Sequence, residues 1–228
     1  MRAEMTAEIK AVARRHLETD GANLSLRAVA RDMGMVSSAL YRYFASRDEL
    51  LTALILDAYN ALADAVESAE AGVRDRAQLR ARWLAAARAI RGWALANPAE
   101  YALPFGSPVP GYAAPADTIA AATRTPVVLI GILAGGYASG ALKPAPGSRP
   151  AGRAETRMTD AIRADLRRAR DGIAPDVPDQ LMLTGIAGWI TLFGHVSFEL
   201  FGQFNNVIEA RDEFFDQQME LMADLIGL

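Results

Sequence analysis

The chain has 228 residues, 51% of them apolar and 22% charged, with a formal net charge of −3. That length and apolar fraction suffice to bury a core as one large or two smaller domains. The absence of cysteine excludes disulfides, thiolate metal sites and a cysteine nucleophile.

The first informative stretch begins at Ser25. Ser25 is placed to cap a helix in which Leu26, Val29, Ala30 and Met33 recur at helical spacing, while Arg27 and Arg31 face outward. Gly34 ends that helix, because only a residue without a Cβ turns left-handed at no steric cost. A second helix starts near Val36 and presents Ser37, Ser38, Tyr41 and Arg42 outward, with Leu40 and Phe44 as its anchor. This is the spacing of a helix-turn-helix, although any αα-hairpin has a glycine turn, and the arginines equally suit a solvated face. Tyr41 and Tyr43 project about 200° apart on a helix, so one packs inward and the other is free to reach phosphate. Ser46 and Glu49 then form a capping box that opens a longer third helix. Arg47 sits in its first turn, where free N–H groups and the helix dipole favour an anion. A net negative chain argues against nucleic acid, yet residues 1–47 hold eight Lys or Arg against five Asp or Glu. A basic head sits on an acidic body.

Beyond Leu50 the periodicity predicts further helices and an all-α fold. Leu51 to about Ala71 continues the capped helix and connects head to body as a lever. About Asp75 to Ala96 carries Leu79, Trp83, Ala86 and Ile90 on one stripe until Asn97-Pro98 stops it. From Glu100 to Asp117 the prolines Pro104, Pro108, Pro110 and Pro115 forbid a continuous helix, leaving Tyr101, Phe105 and Tyr112 on a loop, where they either wall a small-molecule cavity or seal the core edge. The uncharged run Thr125–Leu142 is at the lower length limit for a membrane span, but its glycines and proline and the lack of flanking basic clusters favour a central helix buried all round. A Pro/Gly-rich linker at about 143–155 follows. A helix from about Thr156 to Asp171 exposes Arg157, Arg163, Arg167, Arg168 and Arg170 among interleaved aspartates, the pattern of a solvated face. Two helices, about 178–204 and 206–226, close the chain. The first is apolar around nearly its whole circumference, so one side wants a partner, which a homodimer through 178–226 supplies symmetrically. His195 and Glu199, four apart, suit a pair, a ligand contact or a pH sensor, and equally a packing role.

From about Glu8 to Leu54 the chain resembles the DNA-binding domain of the Tet repressor (TetR) family. The resemblance rests on the leading helix ending near Leu17, the Gly21 loop, Ser25 to Gly34, Val36-Ser37, Leu40-Tyr41-x-Tyr43-Phe44 and Ser46-Arg47-x-x-Leu50. It implies that Ser37, Ser38 and Arg42 approach base edges, while Arg27, Tyr41, Tyr43 and Arg47 hold the phosphate backbone. Ser38-Ala39 departs from the Gly-Thr frequent in the family and leaves at Ala39 only a methyl group to touch a thymine. Trp189 to Gly202 is similar to the C-terminal region of a TetR branch with recurring Trp, His and Gly. The implied organisation is a DNA-binding domain over 1–50 and an effector-binding and dimerisation domain over 51–228. The implied function is a ligand-responsive, homodimeric repressor of a palindromic double-stranded operator.

Trp93, Tyr101, Phe105, Tyr112, Trp189 and Phe193 are the candidate pocket residues, which suggests a hydrophobic or aromatic effector. An enzyme is not expected: the chain has no metal-spaced histidines and no phosphate-binding glycine loop, and no catalytic residue, metal or cofactor is assigned. The alternative is a helical ligand-binding or adaptor protein without DNA affinity, whose body would look the same. No membrane partner is expected. The charged, amphipathic N-terminus lacks the apolar run of a secretory signal, so a cytoplasmic location is expected.

Overall fold

A computed structural model of the chain describes residues 2–21, 24–142 and 158–228. The expected linker at 143–155, and the start of the helix expected from Thr156 with Arg157, lie outside the described residues. The regular structure among the described residues is all α-helical. The helices are α1 (Arg2–Asp20), α2 (Leu26–Asp32), α3 (Ser37–Leu40), α4 (Arg47–Gly72), α5 (Leu79–Ala96), α6 (Pro98–Phe105), α7 (Thr118–Ala138), α8 (Asp160–Arg170), α9 (Asp179–Leu200) and α10 (Arg211–Ile226). The chain divides into two compact units. One comprises the residues up to Ala63 with Ala94–Thr123, the other Asp64–Trp93 with Arg124–Leu228.

The first unit is built on the expected local signals. Ser25 Oγ accepts the Ala28 N–H at 3.4 Å and starts α2. Gly34 adopts φ +65°, and the Met35 N–H reaches the Ala30 carbonyl at 2.9 Å, closing the helix with a Schellman turn. Ser46 Oγ accepts the Glu49 N–H at 3.1 Å and caps α4, which begins at Arg47, while the Glu49 carboxylate reaches back one residue past the cap to accept the Ala45 N–H. Leu26, Val29, Ala30, Leu40, Phe44, Leu50, Leu51 and Leu54 are buried together with Ile9, Val12 and Leu17 of α1.

This unit differs from a single cut after residue 50. Residues 98–112 belong to it: Val109 is buried in the same core, and Ala99, Leu103 and Tyr112 pack against it. Ion pairs reinforce that packing. Arg14 of α1 reaches Asp57 of α4 at 2.6 Å and Glu100 of α6 at 3.2 Å, and Lys10 adds a contact to Asp57 at 2.7 Å. Asn97-Pro98 stops α5 as expected, but Pro104 does not keep the residues after Pro98 out of helix, because Pro98 opens a new one. That proline takes the first position of α6, where its missing N–H costs nothing and its φ suits the turn. Tyr101 and Phe105 therefore lie on a helix, and only the stretch after Phe105 is a loop.

In the second unit, Leu79, Trp83, Ala86 and Ile90 of α5 are buried as their spacing predicts. α9 packs on α8 and α10. Arg163 and Arg170 of α8 face Asp179 at 3.5 and 2.8 Å, so two of the expected solvated arginines tie α8 to the start of α9. α9 ends at Leu200, four residues before the expected limit, where Gly202 takes φ +80°.

α7 is not buried all round. Ala121, Thr125, Leu129, Ile132, Leu133 and Gly136 form one buried stripe, while Ile119, Val127 and Tyr137 are exposed. Its composition is apolar on every face, but its spacing gives only one face to the core. α7 and α9 are each long and apolar enough to cross a membrane by length and composition.

Candidate nucleic-acid interface and effector cavity

The basic head gathers three of its four candidate phosphate ligands, Arg27, Tyr41 and Arg47, in one open groove. Ser25, Arg27, Tyr41, Ala45, Ser46 and Arg47 line it together with Leu24 and Leu26. Two helix starts, α2 after Ser25 and α4 after Ser46, open beside it, and their unpaired N–H groups add positive potential to that of Arg27 and Arg47. α3 is a single turn, and Tyr41–Tyr43 continue it as a turn rather than as helix. Ser38 and Arg42 are exposed, and Ser37 and Ala39 are half-buried. The two tyrosines divide as the 200° argument requires. Tyr41 is 45% exposed and lies on the groove, whereas Tyr43 is partly buried against the head core. Of the eight candidate DNA-binding residues, Tyr43 is the one the packing draws inward.

The six candidate pocket residues divide between the two units. Tyr101, Phe105 and Tyr112 fall in the first unit and Trp93, Trp189 and Phe193 in the second. Phe105 stacks on Tyr101 at 4.9 Å and meets Tyr59 edge-on at 5.9 Å, and the Tyr112 hydroxyl pairs with Thr52 Oγ1 at 2.9 Å. These rings fix residues 98–112 against α4, the sealing role that the sequence left open. Burial and the neighbouring Tyr112 raise the Tyr59 pKa, so its phenol stays neutral.

The second unit contains an apolar cavity of about 50 Å³. Its walls come from Trp83 of α5, Leu129 and Leu133 of α7, Gly185 and Trp189 of α9 and Ile226 of α10. Of the six candidates, Trp189 alone lines it, with Phe193 edge-on behind it at 6.0 Å. Reading the sequence missed the remaining walls. The available signal was the pair of glycines Gly185 and Gly188, one turn apart in an otherwise bulky apolar helix.

His195 and Glu199 do not pair. Arg91 takes both Glu199 oxygens at 2.7 Å and also holds Asp212 at 2.6 Å. His195 is buried among Phe204, Phe214 and Phe215, with ring centroids 4.9–5.4 Å away, and its Nε2 has no hydrogen-bond partner. Burial lowers its pKa, Glu199 works in the opposite sense and Arg91 adds to the lowering. The unfolded chain therefore binds the proton more readily than the folded one. Stability is full above the unfolded value of about 6.5 and declines as pH falls below it, until the folded histidine protonates as well. A melting temperature that drops further between pH 7.5 and 5.5 in the natural protein than in His195→Phe is the expected result. Equal drops would refute it.

The comparisons with known proteins agree with this arrangement. Residues 9–54 match the family model for bacterial regulatory proteins of the tetR family, and residues 83–222 match the model for a tetracyclin repressor-like C-terminal domain. The fold and the head thus define a helix-turn-helix DNA-binding transcriptional regulator. The chain belongs to the TetR family, in which repression, ligand response and dimerisation are typical. It is 38% identical to the HTH-type transcriptional regulators Rv1816 of Mycobacterium tuberculosis and Mb1846 of Mycobacterium bovis, over 99% of this chain and 94% of each relative. The crystal structure of SCO4313, described as a regulatory protein, is similar at a TM-score of 0.75 and 35% identity, covering 97% of this chain and 96% of that one.

Proposed function

We propose that the chain is a cytoplasmic, homodimeric repressor, released from a palindromic operator by a small apolar effector and without catalytic activity. The observation that carries the DNA side of this reading is the groove in which Arg27, Tyr41 and Arg47 meet the starts of α2 and α4, with Ser38 and Arg42 exposed beside it. Arg27, Tyr41 and Arg47 hold phosphates, and Ser37, Ser38, Ala39 and Arg42 meet base edges. Tyr43 supports the turn from within. Residues 1–50 carry the DNA-binding function and 51–228 effector binding and dimerisation.

The dimer reading rests on large apolar side chains that the last two helices leave exposed. Leu183, Ile190, Phe198 and Phe201 of α9 and the turn after it, with Leu221 and Leu225 of α10, are 39–64% exposed. Large apolar side chains left exposed on two neighbouring helices suit an interface, and an isologous one pairs two copies through the same two helices. α4 runs unbroken from the head into residues of the second unit. An effector that binds two tilts of α4 unequally shifts the spacing of the paired readers.

Selection of bound duplexes from a random pool tests the reading. The expected product is a palindrome whose half-site centres lie about one helical turn apart or a multiple of it. Ile190→Glu, which puts a charge in the apolar face, should give a monomer by sedimentation and lose at least tenfold in operator affinity. A natural protein that sediments as a monomer, or a pool that yields no enriched sequence, would overturn it.

A further inference from the structure

We propose that the cavity between α5, α7, α9 and α10 takes an uncharged hydrocarbon or alkyl-aromatic ligand, and that Gly185 with Leu133 sets the largest ligand admitted. The proposal rests on the effector-responsive reading above and deepens it. Apart from the indole N–H groups of Trp83 and Trp189, the side chains that line the cavity are hydrocarbon or thioether, and none is charged. The indole N–H of Trp83 is already donated to the Met219 carbonyl at 2.9 Å, so it offers a ligand only its ring. A carboxylate or ammonium entering here would leave water with nothing to replace it, and charge is therefore selected against.

The size limit follows from the glycines. A Cβ built on Gly185 would lie 2.4 Å from Leu133 Cδ1, and one on Gly188 would lie 2.9 Å from Ile226 Cδ1 and 3.4 Å from Trp83 Cη2. Gly185 itself lines the cavity, and Gly188 lets Ile226 and Trp83, two of its walls, pack close to α9. The cavity, at about 50 Å³, is smaller than the about 150 Å³ that accommodates a benzene in an engineered apolar void. Entry therefore requires the flexible end of Leu133 to swing away and α7 to part from α9. A ligand that does this distinguishes the closed from the open body, as a switch requires.

The test compares p-xylene with its charged near-isostere p-toluate on the full-length protein, by thermal shift and by indole emission. p-Xylene should raise the melting temperature and shift the emission, with p-toluate at least tenfold weaker. Gly185→Ala, whose methyl drives Leu133 into the cavity, should weaken p-xylene at least fivefold at unchanged helical circular dichroism. Leu133→Ala should restore binding in that background and by itself admit naphthalene, so the size argument stays testable if Gly185→Ala fails to fold. The proposal is overturned if p-toluate binds as well as p-xylene, if p-xylene does not bind, or if both substitutions leave ligand size preference unchanged. Operator retention measured on the same samples separates the two readings. p-Xylene binding without release keeps the site and sinks its role as the effector site, whereas release by p-toluate without p-xylene binding keeps the switch and sinks this site.

Discussion

Arg47→Ala is expected to weaken binding to every duplex alike, by about 10- to 100-fold for each half-site, the value of one charge-assisted hydrogen bond of about 1.5–3 kcal/mol. Arg47 opens α4, its side chain is 33% exposed and it lies 3.8 Å from the Asp48 carboxylate. It lines the groove with Ser46, the residue that caps the same helix. Alanine is a good helix former at such a position, and the cap is untouched, so the loss falls on phosphate contact and not on folding. Salt dependence discriminates the mechanism. Removing one phosphate contact from each half of a dimer should lower the slope of log affinity against log salt by about two. Arg42→Ala should instead leave the slope nearly intact and relax base preference by about 1–3 kcal/mol at the positions it reads. An Arg47→Ala protein with unchanged affinity at moderate salt would remove the groove from the DNA interface.

The head was legible because its signals are local. Ser25, Gly34, Ser46 and Glu49 each act within five residues of their own position, through hydrogen bonds and backbone angles that any chain with those residues would form. Tyr41 and Tyr43 were separable by helix geometry alone, and their partition in the structure follows it. The residues that escaped the sequence act at long range. Tyr112 meets Thr52 across 60 positions and Trp83 meets Met219 across 136, and nothing in a periodicity pairs such sites. Pro98 ends α5 as its position predicts but also begins α6, and Pro104 is tolerated in the last turn of that helix, so the later prolines exclude helix only after Phe105. In α7, uniform apolarity concealed which face is buried, because composition carries no phase. The aromatic candidates were grouped on the same ground. Rings at 93, 101, 105, 112, 189 and 193 share a chemistry, but three of them serve the packing of residues 98–112 on the first unit.

The pair that sequence spacing missed, Arg91 with Glu199, is where a single substitution should cost the fold most. The Glu199 side chain is 4% exposed and that of Arg91 14%, and both Glu199 oxygens are engaged at 2.7 Å. Hydrogen bonding to Glu199 is the largest reason that the Arg91 pKa is raised, and the Arg91 guanidinium lies 5.2 Å from the centroid of the Phe215 ring. Glu199→Ala leaves that cation half-desolvated with Asp212, itself 85% exposed, as its remaining carboxylate. Breaking a buried pair from one side costs about 3–5 kcal/mol, and Asp212 holds the expected loss near the lower figure. Removing both charges is a different experiment. Arg91→Met with Glu199→Leu leaves no orphan and should recover most of the stability, since desolvating two ions nearly cancels their attraction. Arg88 provides the contrast: it holds Asp216 at 2.9 Å with both side chains about half exposed, and Arg88→Ala should cost under about 1 kcal/mol. Urea unfolding of the four proteins at one fixed protein concentration, which an oligomer requires, reads all three quantities. A Glu199→Ala loss no larger than that of Arg88→Ala would show that burial contributes nothing to this pair.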